Sequence, residues 1–182
     1  MKYIFNLLIA LAISLVSLHV LAADDRVKVN FSGSINAYSC NVSSAAQNVN
    51  LGIWFLEGDG SNFPRNSATD WVEFELNFNC LGGYRQVIGA IEGTPSTLNR
   101  NFFALDNIEG SATGMAIEIE AYSPERKRWE PKNPNEVSTL IGMANITYGN
   151  NVVQLRARYK QLANVATPGY ANASVTFVVR NN

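Results

Sequence analysis

The 182-residue chain offers few side chains whose type and spacing could do chemistry: two cysteines, Cys40 and Cys80, one histidine, His19, and two glutamates set two apart, Glu118 and Glu120. Paired carboxylates are what glycoside hydrolysis requires. Here they fall within the alternating run Met115–Tyr122, which puts them on one face of a strand, and a solvated strand face is the plainer reading. Glu125-Arg126-Lys127-Arg128-Trp129 combines charge with an aromatic that could meet sugar or nucleic acid. A solvated turn carrying a packed tryptophan is the plainer reading and the one expected here. Trp54, Trp71 and Tyr84 could form a ligand platform if exposed, but large aromatics in a chain of this kind are expected in the core.

The remaining candidates are decided by the start of the chain. Met1-Lys2 precedes a run from Tyr3 to Ala22 that only Asn6 and His19 interrupt with strongly polar side chains. That is the pattern of an export signal. Cleavage between Ala22 and Ala23 places small residues at the positions that need them. The competing membrane anchor is disfavoured by Asp24, Asp25 and Arg26 directly after the apolar run. With residues 1–22 removed the mature chain is expected to be soluble, and His19 is lost, so no imidazole remains to act as base, shuttle or metal ligand. No catalytic site, no metal and no cofactor are expected. Lys2 is the signal's only charged side chain, so 13 of 14 basic residues remain against 15 acids, a formal charge of −2. Neither nucleic acid nor an anionic membrane is attracted by that balance. Cys40 and Cys80 both survive processing, and an oxidising compartment pairs them. Closing a loop of that length stabilises the fold by roughly 4 kcal/mol in the chain-entropy model.

The elements that must hold these residues read as strands. Arg26–Phe31 and Trp71–Phe78 alternate polar with apolar residues, the second placing Val72, Phe74, Leu76 and Phe78 on one side. Further strands are predicted over Asn48–Trp54, Gln86–Ile91, Met115–Tyr122, Val152–Tyr159 and Ala173–Val179. Turn-rich segments such as Glu57–Asn62 and Pro131–Asn135 separate them, and Glu57–Asp70 is a loop long enough to be mobile. About seven short strands in one domain point to an all-β sandwich of two sheets in the immunoglobulin style.

Three stretches in order, two of them holding the cysteines, are specific. Gly33-Ser34-Ile35-Asn36-Ala37-Tyr38-Ser39-Cys40-Asn41-Val42, then Val49-Asn50-Leu51-Gly52, then Phe74-Glu75-Leu76-Asn77-Phe78-Asn79-Cys80 resemble the subunits of chaperone–usher fimbriae. Ala112–Ile119 is similar to that family's mid-chain strand, and Leu155–Tyr159 with Thr167–Ala173 to its closing block. The resemblance implies an incomplete immunoglobulin-like β-sandwich that lacks its last strand, with a hydrophobic groove beside the C-terminal strand and an N-terminal donor-strand extension. It implies a signal peptide at 1–22, an extension at 23–36 and a pilin domain at 37–182. Val27, Val29 and Phe31 would enter a neighbour's groove, with Gly33 allowing close approach, and Val175, Phe177 and Val179 would line the groove's edge. Implied partners are other fimbrial subunits, a periplasmic chaperone and an outer-membrane usher, with no small-molecule substrate. The implied destination, reached via the periplasm, is a fimbria at the cell surface, there to support adhesion or biofilm formation. One departure is Asn181, which stands where the family commonly carries a penultimate aromatic. The alternative is a monomeric secreted sandwich that binds a carbohydrate or protein ligand and folds its own first strand into its sheet.

Overall fold

The computed structural model describes residues 32, 39–43, 46–56, 65–81, 87–141 and 146–180. The chain divides into two compact units, Met1–Ile35 and Asn36–Asn182. Of the first, Ser32 alone is described, as an exposed residue outside any strand. All that follows concerns the second unit.

Nine strands make up its described part: β1 Ser39–Val42, β2 Val72–Leu81, β3 Val87–Glu92, β4 Phe103–Ala104, β5 Met115–Ser123, β6 Arg128–Pro131, β7 Ser138–Ile141, β8 Gly149–Gln161 and β9 Thr176–Arg180. They form two antiparallel sheets. The larger runs β1-β2-β8-β5-β4, with β6 added to β5 as a hairpin, and the smaller runs β7-β3-β9. The alternation of β2 does what period two requires: Leu76, Phe78 and Cys80 are buried while Glu73, Glu75, Asn77 and Asn79 are exposed. Ile117, Ile119 and Ala121 of β5 and Val153, Leu155 and Ala157 of β8 continue the same inner layer. Val87 and Ile91 of β3 meet it from the second sheet, with Phe103 beside them. Cys40 and Cys80 stand directly opposite each other in the β1–β2 register and are joined by a disulfide, their Cα atoms 4.1 Å apart.

Several predicted boundaries change. The strand expected over Asn48–Trp54 does not form. Gly52 takes a φ of 85° and its N–H donates to Asn50 Oδ1, so the chain turns there. Trp54, expected in the core, is 43 % exposed and donates from Nε1 to the Leu51 carbonyl. The expected strand Ala173–Val179 starts at Thr176 instead, and β8 is longer than predicted at both ends. Arg128–Trp129, read as part of a turn, opens β6, and Lys127 makes the tight hairpin turn with a φ of 52°. Residues 65–70, read as part of a mobile loop, are tied down: Asn66 N–H donates to Gln161 O, and Thr69 N–H to Tyr159 O.

Candidate strand-acceptor groove

β9 pairs with β3 along one edge, from Ile88↔Arg180 to Glu92↔Thr176. Among the described residues no strand pairs with its other edge. The side chains that β9 and the residue before it turn inward, Val175, Phe177 and Val179, pack against the core yet remain half-buried. On β2 the same gradient appears: Leu76, Phe78 and Cys80 are buried, but Val72 and Phe74, inward-facing in the same register, are half-buried. Phe74 and Phe177 meet edge-on across the two sheets, their ring centroids 6.5 Å apart. The interior is therefore closed at one end and only half covered along β9.

The opposing wall has a related defect. β1 pairs with β2 only over residues 78–81, and it runs near β9. Val42 shares the inward phase of Cys40 yet is 36 % exposed. Beyond β1 the β2 edge is met by single bonds, from Ser43 N–H to Asn77 O and from Gln47 Nε2 to Glu75 O. Val49 and Leu51 still point into the core, although their segment belongs to no strand. An unpaired sheet edge beside half-covered apolar side chains is a template for an added strand.

The other candidate chemistry is absorbed by the outer face of the larger sheet. Glu118 accepts hydrogen bonds from Arg158 Nε at 2.7 Å and Lys160 Nζ at 3.3 Å, and Glu120 accepts from Arg156 Nε at 2.8 Å. Their side chains are only 13 % and 16 % exposed, so they are ion-paired and shielded, where a solvated pair was expected. The Arg156 guanidinium lies 4.2 Å from the Trp71 ring centroid and 4.5 Å from that of Trp129, and Arg158 lies 3.9 Å from Trp71. With cations over it, the Trp71 ring is no open sugar platform. Tyr84 lies outside the described residues. Lys132 is buried between β6 and β7, where its Nζ donates to Ser138 Oγ and Thr139 O. Burial lowers its pKa below the ordinary lysine value.

Of the residues singled out in the sequence, Val175, Phe177 and Val179 are half-buried against the core, and the cysteine pair pins β1 to β2. The donor-strand residues Val27, Val29, Phe31 and Gly33, the cleavage pair Ala22 and Ala23, and Asn181 all lie outside the described residues. Sequence reasoning did not single out Val42, Val49, Val72 and Phe74, the other inward-facing residues left partly uncovered. The signal was partly there, since Val72 and Phe74 head an inward-facing run, but only the burial gradient shows which members of that run are left half covered.

Two antiparallel sheets facing one another across a shared core define an immunoglobulin-like β-sandwich. The family model described as fimbrial protein matches residues 29–181, and the chain belongs to that family. It is 27 % identical over 182 residues to the fimbrial-like protein YdeS of Escherichia coli (strain K12), covering 98 % of each chain. It is 26 % identical over 156 residues to the type 1 fimbrial subunit of Salmonella typhimurium, covering 84 % of this chain and 80 % of that one. Among solved structures, the P pilus rod subunit PapA superposes with a TM-score of 0.54 at 19 % identity, over 85 % of this chain and all of that one. An antigen and type I fimbria protein of Burkholderia pseudomallei gives 0.52 at 20 % identity, over 81 % and 90 %. The chain is thus a fimbrial subunit, a component of a surface fimbria that interacts with other subunits.

Proposed function

We propose that this subunit polymerises head-to-tail by donor-strand exchange, as a structural or adaptor component of a chaperone–usher fimbria that supports adhesion or biofilm formation. Residues 1–22 direct export and are removed between Ala22 and Ala23. Residues 23–36 of one copy then occupy the groove beside β9 in the next, with Val27, Val29 and Phe31 inserted between Val175, Phe177 and Val179 on one side and Val72 and Phe74 on the other. Gly33 lets the backbone come close. A periplasmic chaperone holds the groove before assembly and an outer-membrane usher receives the subunit. The role is mechanical, with no reaction catalysed. The observation that carries this reading is that, among the described residues, no strand pairs with the outer edge of β9, beside half-buried, inward-facing valines and phenylalanines.

The energetics favour it. Burial of three such side chains contributes roughly 1.5–3 kcal/mol each before ordering costs, and main-chain hydrogen bonds along β9 add to it. A head-to-tail contact does not close on itself, so it propagates as a filament. The test uses protein lacking residues 23–33, held by a chaperone, mixed with a peptide of residues 23–36 and run on a gel without boiling. A stable chaperone-free complex is expected, and it is lost when the peptide carries Val29→Asp or Phe31→Asp. A truncated protein that stays monomeric and ignores both chaperone and peptide would sink the proposal and favour a monomeric ligand-binding module.

A further inference from the structure

The outer face of the larger sheet is split. Its β5–β6–β8 part carries the charges and tryptophans described above, satisfied among themselves. The β1–β2–β8 part is amide-rich. Asn41, Asn79 and Asn150 stand opposite one another across three adjacent strands, and Asn77 is opposite Val152 and Glu75 opposite Gln154. Asn41, Asn79, Asn150 and Gln154 are exposed. Leu81 and Val152, on the same face, are 50 % and 47 % exposed, and Tyr148, the residue before β8, is 78 % exposed. Asparagine is depleted in strands, so four asparagines in two rows of one sheet face run against local preference. Such departures concentrate at functional positions.

From this arrangement we propose that the face built by Asn41, Asn79, Asn150, Gln154, Val152 and Tyr148 binds a neutral polysaccharide chain. Each amide offers both donors and an acceptor, which matches sugar hydroxyls that also donate and accept. The sheet spaces them regularly, about 4.8 Å between strands and about 6.8 Å between alternate residues, on the scale of successive hydroxyl groups along a glycan. Val152, Leu81 and Tyr148 supply the apolar surface that the C–H faces of pyranose rings pack on. Charge decides the ligand class. Next to the amides β2 adds two exposed acids, Glu73 and Glu75, and the six proposed residues include no cation, so they have nothing to neutralise a uronate or a sulfate, and an anionic glycan gains nothing there. The site is independent of the groove, because it uses the outer face of β2 and β8 and the groove uses the inner one.

The experiment takes the full-length secreted protein, free or assembled, and measures retention on immobilised cellulose and mannan, with cellohexaose and mannohexaose as soluble competitors. Alginate serves as the anionic comparison. Wild type is expected to be retained on at least one neutral matrix and released by the matching hexaose, and Asn79→Ala with Asn150→Ala is expected to weaken retention roughly tenfold. Unchanged thermal unfolding of the double variant shows that the fold is intact, as expected for exposed positions. Retention on alginate alone, on no matrix, or equally by wild type and the double variant overturns the proposal. Because the readout is retention, it stands or falls apart from strand exchange.

Discussion

Four kinds of residue carry most of what can be tested at this scale. Cys40 and Cys80 face each other across the edge of the larger sheet, which is why two cysteines far apart in sequence meet. Replacing both by alanine is expected to lower stability by about 2–5 kcal/mol, read from denaturant midpoints of the oxidised and variant proteins. Lys132 behaves differently. Its amine is buried against two neutral oxygens, and desolvation lowers its pKa from 10.5. Between the lowered folded value and 10.5 the unfolded chain binds more protons than the folded one, so stability rises with pH through that window. Tyr159 acts oppositely: burial raises its pKa above 10.0, so stability falls as pH climbs through its own range. Comparison with Lys132→Met isolates the lysine: the rise seen in wild type at alkaline pH should be absent from the variant's melting curves. The glutamate pair teaches a simpler lesson. Its place on one strand face was legible from spacing, but its pairing with Arg156, Arg158 and Lys160 depends on the β5–β8 register, which spacing within one strand cannot reveal.

Long alternating segments were the readable elements: β2, β3, β5 and β8 all lie where period two puts them, give or take their ends. β1, β4, β6 and β7 were not read, because two to four residues carry too little periodicity to stand out. The expected strand over 48–54 failed for a different reason. Its alternation is real, since Val49 and Leu51 do face the core, but a strand needs a neighbour to bond and a chain free of turns, and Gly52 supplies the turn. The inward phase of Val175, Phe177 and Val179 was legible from alternation, but that they and Val72 and Phe74 stay half-buried depends on where β1 stops along β2, which no single segment reveals. At this scale the outer ladder is testable. Arg156→Met removes an ion pair and contacts to two indole rings at once, and a loss of about 1–3 kcal/mol in unfolding free energy is expected. Lysine at the same position should not restore it, since an ammonium cannot fork to Glu120 while stacking on Trp71 and Trp129. Gly114 is equally constrained: its φ of 78° and a Val165 carbonyl 2.6 Å from where a Cβ would stand make Gly114→Ala destabilising, by about 1–3 kcal/mol in chemical denaturation.

At the largest scale, the described part of the second unit is a sandwich in which Leu76, Phe78 and Cys80 are buried while Val72, Phe74, Val175, Phe177 and Val179 stay half-buried, and that asymmetry is the reason to read it as a building unit. Anything that completes the edge binds the folded state and not the unfolded one, so it must raise the unfolding temperature in a concentration-dependent way. A peptide of residues 23–36 added to the truncated subunit should therefore shift its melting upward, by an amount that grows with peptide concentration. The same peptide with Val29→Asp should leave it unmoved. No pattern within the chain could announce this property directly, because local periodicity shows which residues face inward but not which of them stay uncovered.

The disulfide has one more consequence, which concerns force. A fimbria at a cell surface is pulled along its length, and a subunit stretched by its two ends transmits that load through its covalent backbone once strands begin to part. The bridge between Cys40 and Cys80 short-circuits the residues between them, a sequence separation of 40. At about 3.6 Å per extended residue, roughly 140 Å of chain is withheld from extension for as long as the bridge is intact. Residues 57–64 and most of β2 lie inside that shielded length. A pulled subunit thus yields only the chain outside the bridge, and a reducing agent should lengthen each single-molecule unfolding step by about the withheld amount.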